Sequence, residues 1–355
     1  MIELERIIKE ELLGCNNKKI KEETLNEYLG SLKSKELLRM AIFPAFIDDD
    51  FSVFAKVERL NNKPKKDIID YVTKNLDRIL ESYIKIIRTN EINQLKIVIK
   101  NTDKKIIFGD LPISIHFLLF LKNSFMAKVE YNNKDDSFRV FMPEEFITIF
   151  NNCFENKELL KLNKFNNNVY NYVENVINTY GVITIDKLYE LFEKQMFKIS
   201  ESKLRHIITI FTVYEDENVY EYDGKAILYS SSFESNDDAL TFYNSQKMDY
   251  KKYSKEDYKN IANFQYTEKL KSYKKFINYL YRNYCDISEI LDYIKNFIIY
   301  DYLASAQLSI EEADNNFRTN IIKILEADNK EVEELLRLMK NIFNEYPKWI
   351  KRGNI

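Results

Sequence analysis

Carboxylates that could bind a metal ion are concentrated in one part of the sequence. Asp48, Asp49 and Asp50 are consecutive. Lys56 and Glu58 follow shortly after them. A nuclease needs carboxylates and a lysine that converge on a divalent metal ion, and this segment contains both residue types. Consecutive side chains point in different directions, however, and no second carboxylate-rich strand follows. The pattern therefore favours a solvated loop or a helix cap over a metal-dependent active site.

The remaining residues offer little catalytic chemistry. The two histidines, His116 and His206, are too few for a histidine-rich metal site. The three cysteines, Cys15, Cys153 and Cys285, are far apart and form no CxxC pair, so neither a disulfide framework nor a zinc knuckle is supported. The six glycines build no GxGxxG, GxxxxGK[ST] or GxSxG motif. We therefore predict a non-enzymatic protein without a catalytic site, metal ion or cofactor.

The composition is that of a globular protein. Hydrophobic residues make up 45% of the 355 residues and charged residues 31%, and the formal net charge is −3. This balance is typical of a folded chain and gives no overall attraction to nucleic acid or membranes. The longest apolar run, 111–121, is interrupted by His116 and is too short to span a bilayer. Residues 1–6 do not resemble the start of a signal peptide, so we expect a cytoplasmic protein that does not bind membranes.

Helical periodicity dominates the sequence, and the predicted fold class is mainly α with small β-hairpins. Residues 1–105 are predicted to form a helical N-terminal module, in which the apolar residues of 68–87 line one face of a helix. Residues 236–355 are predicted to form a helical C-terminal domain. Its helices are predicted at 255–262, 268–283, 288–303, 309–327 and 331–346. Winged-helix-like units are expected between these two helical regions.

The pattern changes in residues 106–160, where a helix, a hairpin and a second helix are predicted. The hairpin strands are expected at 125–131 and 138–141, on either side of a polar turn. Pro143 then provides a favourable start for the second helix. This region is a possible first wing-like unit.

Residues 165–235 have the element order of a winged helix. The predicted elements are helices at 169–180 and 186–194, a third helix from Ser200, and strands at 219–222 and 226–229. Asp223-Gly224 lies between the strands and is a strong hairpin turn signal. The similar order in 106–160 is compatible with a diverged duplication, but order alone does not decide between a duplication and two unrelated hairpins.

Three short segments carry a resemblance to known proteins. Residues 180–192, Tyr-Gly-Val-Ile-Thr-Ile-Asp-Lys-Leu-Tyr-Glu-Leu-Phe, resemble a segment common in uncharacterised winged-helix-containing proteins of low-GC Gram-positive bacteria and their phages. Residues 25–38 resemble the start of the helical module that precedes this segment in those proteins, a module similar to the N-terminal domain of the transcription terminator Rho or to SAP modules. Residues 346–353, Tyr-Pro-Lys-Trp-Ile-Lys-Arg-Gly, are similar to their C-terminal signature. The resemblance implies a winged helix in a bacterial or mobile-element protein and supplies no catalytic residues.

The charge of the predicted winged helix bears on its partner. A DNA-binding winged helix places its third helix in the major groove, where Lys203 and Arg205 would be the exposed cations. Residues 168–231, however, contain six basic and ten acidic residues, a net charge of −4. Acidic residues lie around the predicted wing, at Glu215, Asp216, Glu217 and Asp223. They would repel phosphates and suit a basic protein surface.

Basic charge lies elsewhere, in residues 56–105 and 251–282, each with a net charge of +6. The second stretch alternates lysines with tyrosines, a combination that can hold single strands through phosphate contacts and base stacking. The alternative is a solvated lysine face opposite a tyrosine-rich core, which the Lys- and Tyr-rich composition of an AT-rich genome favours. The residues predicted to contact nucleic acid are Lys65, Lys66, Lys203, Arg205, Lys251, Lys252, Lys274 and Lys275.

Two functions are consistent with the sequence. The first is a nucleic-acid-associated regulatory protein of a bacterium or mobile element. The second is an inhibitor or adaptor that binds a nucleic-acid-handling enzyme through an acidic winged-helix surface. Lysines clustered on one face would favour the first function, and an acidic stripe or a broad exposed aromatic patch would favour the second. No small-molecule substrate is inferred.

Overall fold

The computed structural model describes most of the chain and divides it into two compact units. Its backbone is described for residues 9, 13, 24–193, 199–215, 219–222, 225–284 and 288–355. Unit 1 is Met1–Asn168 and unit 2 is Val169–Ile355. Both units are mainly helical, and small antiparallel sheets occur in each. The predicted fold class is confirmed at this level, as a mainly α chain with small antiparallel sheets.

Unit 1 is built from helices around a small sheet. Its elements in chain order are α1 (Leu25–Ser31), α2 (Ser34–Asp48), α3 (Phe51–Leu60), α4 (Lys65–Lys74), α5 (Leu76–Ile84), α6 (Thr89–Lys100), β1 (Ile106–Ile107), α7 (Ile115–Asn123), β2 (Lys128–Asn132), β3 (Ser137–Phe141) and α8 (Glu144–Glu155). A long helix, α9 (Lys157–Tyr180), begins in unit 1 and ends in unit 2.

Local side-chain chemistry sets several helix ends in unit 1. The Thr24 hydroxyl accepts a hydrogen bond from the Glu27 amide, and the Glu27 carboxylate accepts one from the Thr24 amide, which forms a capping box at α1. The Asp50 carboxylate accepts a hydrogen bond of 3.0 Å from the Ser52 amide at the start of α3. Asp50 is therefore a helix cap, one of the two alternatives that the sequence favoured over a metal site. The single helix predicted over 68–87 is two helices, because Asn75 leaves the helical conformation and its side-chain amide donates to the Tyr71 carbonyl.

The sheet of unit 1 has the strand order β1-β3-β2, with antiparallel pairing throughout. The predicted hairpin is present, but its first strand begins at Lys128 rather than at Phe125. Phe125 has a φ of 59°, which is incompatible with a strand. The sequence did not predict β1, because two residues are too few to show a strand pattern.

One hydrophobic core joins the regions predicted as 1–105 and 106–160. It extends along the chain from the first helices to Leu159 and includes the fully buried Phe117, Phe146 and Phe150. Buried amides of α9 complete the structure around the end of α5. The Asn163 amide donates to the Ile84 and Ile87 carbonyls at 2.7 Å. These bonds satisfy carbonyl groups that a helix end leaves without partners.

Unit 2 contains a second small sheet and a larger set of helices. Its further elements are β4 (Val182–Thr184), α10 (Ile185–Glu193), α11 (Glu201–Glu215), β5 (Val219–Tyr222), β6 (Lys225–Tyr229), α12 (Asn236–Ser245), α13 (Lys255–Ala262), α14 (Lys271–Asn283), α15 (Ser288–Tyr293), α16 (Ile299–Ser305), α17 (Ile310–Leu325) and α18 (Asn329–Glu345). A short 3₁₀ helix, Gln265–Lys269, precedes α14, and a π-helical segment, Ile294–Ile298, joins α15 to α16.

The sheet of unit 2 has the strand order β4-β6-β5 and is antiparallel. The first predicted strand coincides with β5 and the second with β6, which begins one residue earlier at Lys225, while the turn residues Asp223 and Gly224 lie outside the described residues. The sequence did not predict β4, which follows directly from α9. Its Val182 pairs with Tyr229 of β6.

The end of the chain packs on the start of this sheet. The Trp349 indole N–H donates to the Asn178 carbonyl at 2.8 Å. The Gln246 side-chain amide donates to the Tyr180 and Trp349 carbonyls. Trp349 also shares a hydrophobic cluster with Val182 of β4. The regions predicted as 165–235 and 236–355 are therefore packed together within unit 2.

Every helix in the described part of the chain is too short or too polar to cross a bilayer.

Candidate nucleic-acid interface

Among the described helices, α14 has the largest group of exposed cations on one face. Four cations of this helix are exposed, and the sequence of α14 contains no acidic residue. We call the exposed face the basic stripe and define it by Lys271, Lys274, Lys275, Asn278, Tyr281 and Arg282. At 100° per residue these six positions fall within about 120° of the helix circumference, and they extend over about 16 Å of its length. The Tyr281 ring is 56% exposed within this face.

The packing of α14 determines which of its residues face solvent. Ser272, Phe276 and Leu280 are buried on the opposite side, and α14 packs against α18. Glu345 of α18 accepts a long hydrogen bond of 3.5 Å from the Ser272 amide. Burial raises the pKa of Tyr279, and Glu334 of α18 contributes further in the same direction. Carboxylates of α18 therefore lie close to α14 on the side where the two helices pack.

Lys251 and Lys252 lie in the segment before α13, away from α14 in sequence. The Lys251 amide donates to the Arg352 carbonyl, and its ammonium group lies 5.0 Å from the centre of the Tyr253 ring. The Lys252 ammonium is 3.9 Å from the Glu190 carboxylate. Lys251 is half-buried and Lys252 is exposed, and both have contacts within unit 2, away from the basic stripe that carries Lys274 and Lys275.

The cations of the third helix of the predicted winged helix are only half-exposed. Arg205 of α11 binds the Glu201 carboxylate at 2.7 Å and also forms an ion pair with Asp186 of α10. Lys203 is half-buried. Two carboxylates thus neutralise Arg205, which weakens its attraction for phosphate.

The acidic residues predicted for the wing lie largely outside the described part of the chain. Asp216, Glu217 and Asp223 are not among the described residues. Glu215 is the last residue of α11, and its side chain is also outside them. Their arrangement stays a prediction.

Lys65 and Lys66 belong to unit 1, at the start of α4. The Lys65 ammonium donates a hydrogen bond of 2.5 Å to the carbonyl of Gly30 in α1. Lys66 is exposed. One of these two lysines therefore links two helices, and the other faces solvent.

Two of the three aspartates that could have bound a metal ion are held by cations instead. Arg78 binds Asp48 at 3.2 Å and Asp50 at 2.8 Å, while Lys85 binds Asp48 at 2.6 Å. The Ser52 hydroxyl and then the Arg78 guanidinium hold the pKa of the Asp50 carboxyl well below its ordinary value. Across the described parts of the chain, no group of three His, Cys, Asp or Glu residues is arranged to hold a metal ion.

Three phenylalanines of unit 1 are exposed around the connection between α2 and α3. Phe51 is 81% exposed, and Phe46 and Phe54 are 49% and 41% exposed. The rings of Phe46 and Phe54 contact edge to face, with centroids 6.1 Å apart. We call these three residues the aromatic patch. Neighbouring exposed aromatic side chains of this kind are typical of interaction surfaces.

Sequence reasoning missed part of both surfaces. It selected Lys274 and Lys275 but not Lys271, Arg282 or Tyr281, which share their helix face. Helical phasing around the apolar Phe276 could have identified all of them. The aromatic patch was missed, because a phenylalanine in a helical sequence is more often buried than exposed.

Comparison with known proteins identifies no relative. No protein family, curated protein or solved structure matches the chain.

Proposed function

We propose that this chain is a non-enzymatic regulatory protein that binds nucleic acid through the basic stripe of α14. The observation that carries the proposal is the presence of four exposed cations and an exposed tyrosine on one face of a helix without acidic residues. Cations at this spacing can contact successive phosphates, and counterion release supplies most of the affinity in such contacts. Tyr281 offers a ring on which an unpaired base can stack.

A winged helix in unit 2 is part of the same proposal. The order α9, β4, α10, α11, β5 and β6 supports it, as does the pairing of β4 and β5 with the two sides of β6. Because Arg205 is neutralised by Glu201 and Asp186, we assign phosphate contact to α14 rather than to α11. The strand order of unit 1, β1-β3-β2, is equivalent and is compatible with an ancient duplication. A cytoplasmic location in a bacterium or mobile-element host fits this role.

Binding measurements test the proposal directly. Labelled duplex DNA, single-stranded DNA and RNA are titrated with the full chain at low and at physiological salt. We expect binding that weakens steeply with salt and is lost in Lys274→Glu/Lys275→Glu. The matched control is Lys247→Glu/Lys323→Glu, which makes the same charge change at two exposed lysines of unit 2 outside α14. Absence of binding at low salt, or equal loss in both variants, would contradict the proposal.

A protein-binding adaptor is the second candidate function, and the aromatic patch favours it. Because the Phe51 side chain is largely exposed, it contributes little to the packing of unit 1. Contact with a partner protein explains a phenylalanine at this position better than folding does. The test is affinity purification with wild type and with Phe51→Ser/Phe54→Ser. A partner that is captured by wild type and lost with this variant would support the adaptor function, provided that nucleic-acid binding is absent.

A further inference from the structure

An open cleft of about 630 Å³ lies in unit 2 between α12 and the turn from α16 to α17. Its volume is in the range of sites that bind small molecules or peptide side chains. Phe233, Phe242 and Leu308 give it apolar walls. Phe233 stacks on Trp349 with ring centroids 5.9 Å apart, so this part of the wall is fixed by the core.

The rim of the cleft is acidic. Three exposed carboxylates line it, at Glu234, Asp238 and Glu312, and no lysine or arginine is among the lining residues. Asp238 and Glu312 belong to the first turns of α12 and α17, where they also face the positive ends of helix dipoles. Each dipole end is equivalent to about half a charge, so the three carboxylates leave the rim negative.

The arrangement of these carboxylates does not fit a single metal ion. Glu234, Asp238 and Glu312 are all described, yet they do not form a group that could hold one. Separate cations spaced along a chain would satisfy them better. Lysine and arginine side chains of a peptide are such cations, and they form charge-assisted hydrogen bonds with carboxylates.

Apolar residues continue from the cleft to the surrounding surface. Leu308 is 44% exposed at its wall, and Ile310 next to it is 51% exposed. A molecule that binds in the cleft must therefore offer an apolar group to the walls and positive charge to the rim. Nucleic acid does not meet the second requirement, because its phosphates would be repelled by the rim.

We propose that this cleft is a docking site for a basic segment of a partner protein. An apolar side chain of that segment fills the space between Phe233, Phe242 and Leu308. Its flanking lysines or arginines pair with Glu234, Asp238 and Glu312. This site is distinct from the basic stripe of α14, and the inference holds whether or not α14 binds nucleic acid.

A selection from a library of random 16-residue peptides tests the chemistry of the occupant without assuming a particular partner. The full chain is the bait. We expect the recovered peptides to carry lysine or arginine on both sides of an aromatic or aliphatic residue. Their dissociation constants are then measured by fluorescence anisotropy with wild type and with variants.

The matched variants separate the cleft from general charge effects. Asp238→Asn/Glu312→Gln removes two rim charges and keeps the hydrogen bond that the Ser235 hydroxyl donates to residue 238. The control Asp237→Asn/Glu311→Gln removes two exposed acids from the same helix turns, at positions that do not line the cleft. We expect about tenfold weaker binding for the rim variant and less than about twofold for the control. Leu308→Ser should weaken binding as well, because it removes part of the apolar wall.

Three outcomes would overturn the proposal. The first is that the selection recovers no peptides, or recovers neutral or acidic ones. The second is that the rim variant and the control variant bind the peptides equally. The third is that Leu308→Ser has no effect, which would show that the peptides bind by charge alone and do not use the apolar wall.

Discussion

Gly181 and Trp349 are packed so closely that a β-carbon on Gly181 would lie 2.6 Å from Cδ2 and Cε3 of the indole ring. The φ of Gly181 is +75°, a conformation that residues with side chains rarely adopt. This contact joins the turn before β4 to the end of the chain. The glycine is therefore required twice, for the backbone turn and for the space that the indole ring occupies.

Replacement of Gly181 should destabilise unit 2. We expect Gly181→Ala to lower the free energy of unfolding by about 3 kcal/mol, since left-handed strain and overpacking add together. Trp349 is the only tryptophan, so its fluorescence during urea denaturation reports this transition. The control is Gly30→Ala in α1, where a β-carbon would meet no atom within 4 Å. Its free energy of unfolding, measured by circular dichroism, should be unchanged or higher by up to about 1 kcal/mol. A Gly181→Ala protein as stable as wild type would contradict the packing described.

The basic stripe predicts a specific dependence of binding on salt. Each phosphate contact changes the slope of log K against log salt by about 0.7 to 0.9. Neutralisation in Lys274→Gln/Lys275→Gln should therefore reduce the slope by about 1.5, measured by anisotropy over several salt concentrations. Lys247→Gln/Lys323→Gln should leave the slope unchanged. A lower affinity with an unchanged slope would mean that the two lysines do not contact phosphates.

The ion pairs of Arg78 predict a pH-dependent stability difference. The pKa of the Asp50 carboxyl is lowered on folding, by the Ser52 hydroxyl first and by Arg78 second. A lowered carboxyl pKa stabilises the fold above the unfolded-state pKa of about 3.8, and this contribution is lost as the pH falls below that value. We expect Arg78→Gln to be less stable than wild type in urea at pH 7, with a smaller difference at pH 3. Arg59→Gln, at an exposed position of α3, serves as the control. A stability difference of the same size at both pH values would show that Arg78 does not stabilise the fold through the ionised Asp50 carboxylate.

Cys153 should be chemically inert in the folded protein. Burial, with smaller contributions from Glu81 and Asp77, raises the pKa of its thiol to about 12. At pH 8 its thiolate fraction should be about a thousandfold lower than that of an ordinary thiol, and only the thiolate reacts. In a Cys15→Ser/Cys285→Ser background, we expect little reaction with a disulfide reagent at pH 8 until urea unfolds the protein. Reaction at the same rate in the folded and unfolded protein would show that the thiol is accessible.

Much of the secondary structure could be predicted from the sequence, because it depends on local chemistry. The Asp50 cap, the hairpin of β5 and β6 and the helices of the C-terminal region from α13 onward follow from capping residues, turn residues and periodicity within short windows, whereas α12 was not predicted. The strands β1 and β4 could not be predicted, since strands of two or three residues have no pattern of their own. They form because a neighbouring strand, β3 or β6, offers backbone groups that need partners.

The candidate surfaces could not be predicted from local sequence either, because they depend on how distant parts of the chain pack. The sequence determined that 251–282 is rich in lysine and tyrosine, but packing of Phe276 and Leu280 decided which cations α14 exposes. The sequence also indicated Arg205 as a candidate contact with nucleic acid, but the fold places the Asp186 carboxylate beside this arginine. The cleft combines α12 and the segment before it with the turn from α16 to α17, which is distant in sequence. Local windows determine propensity and phase, whereas contacts such as that between Trp349 and Asn178, 171 residues apart, depend on how the whole chain packs.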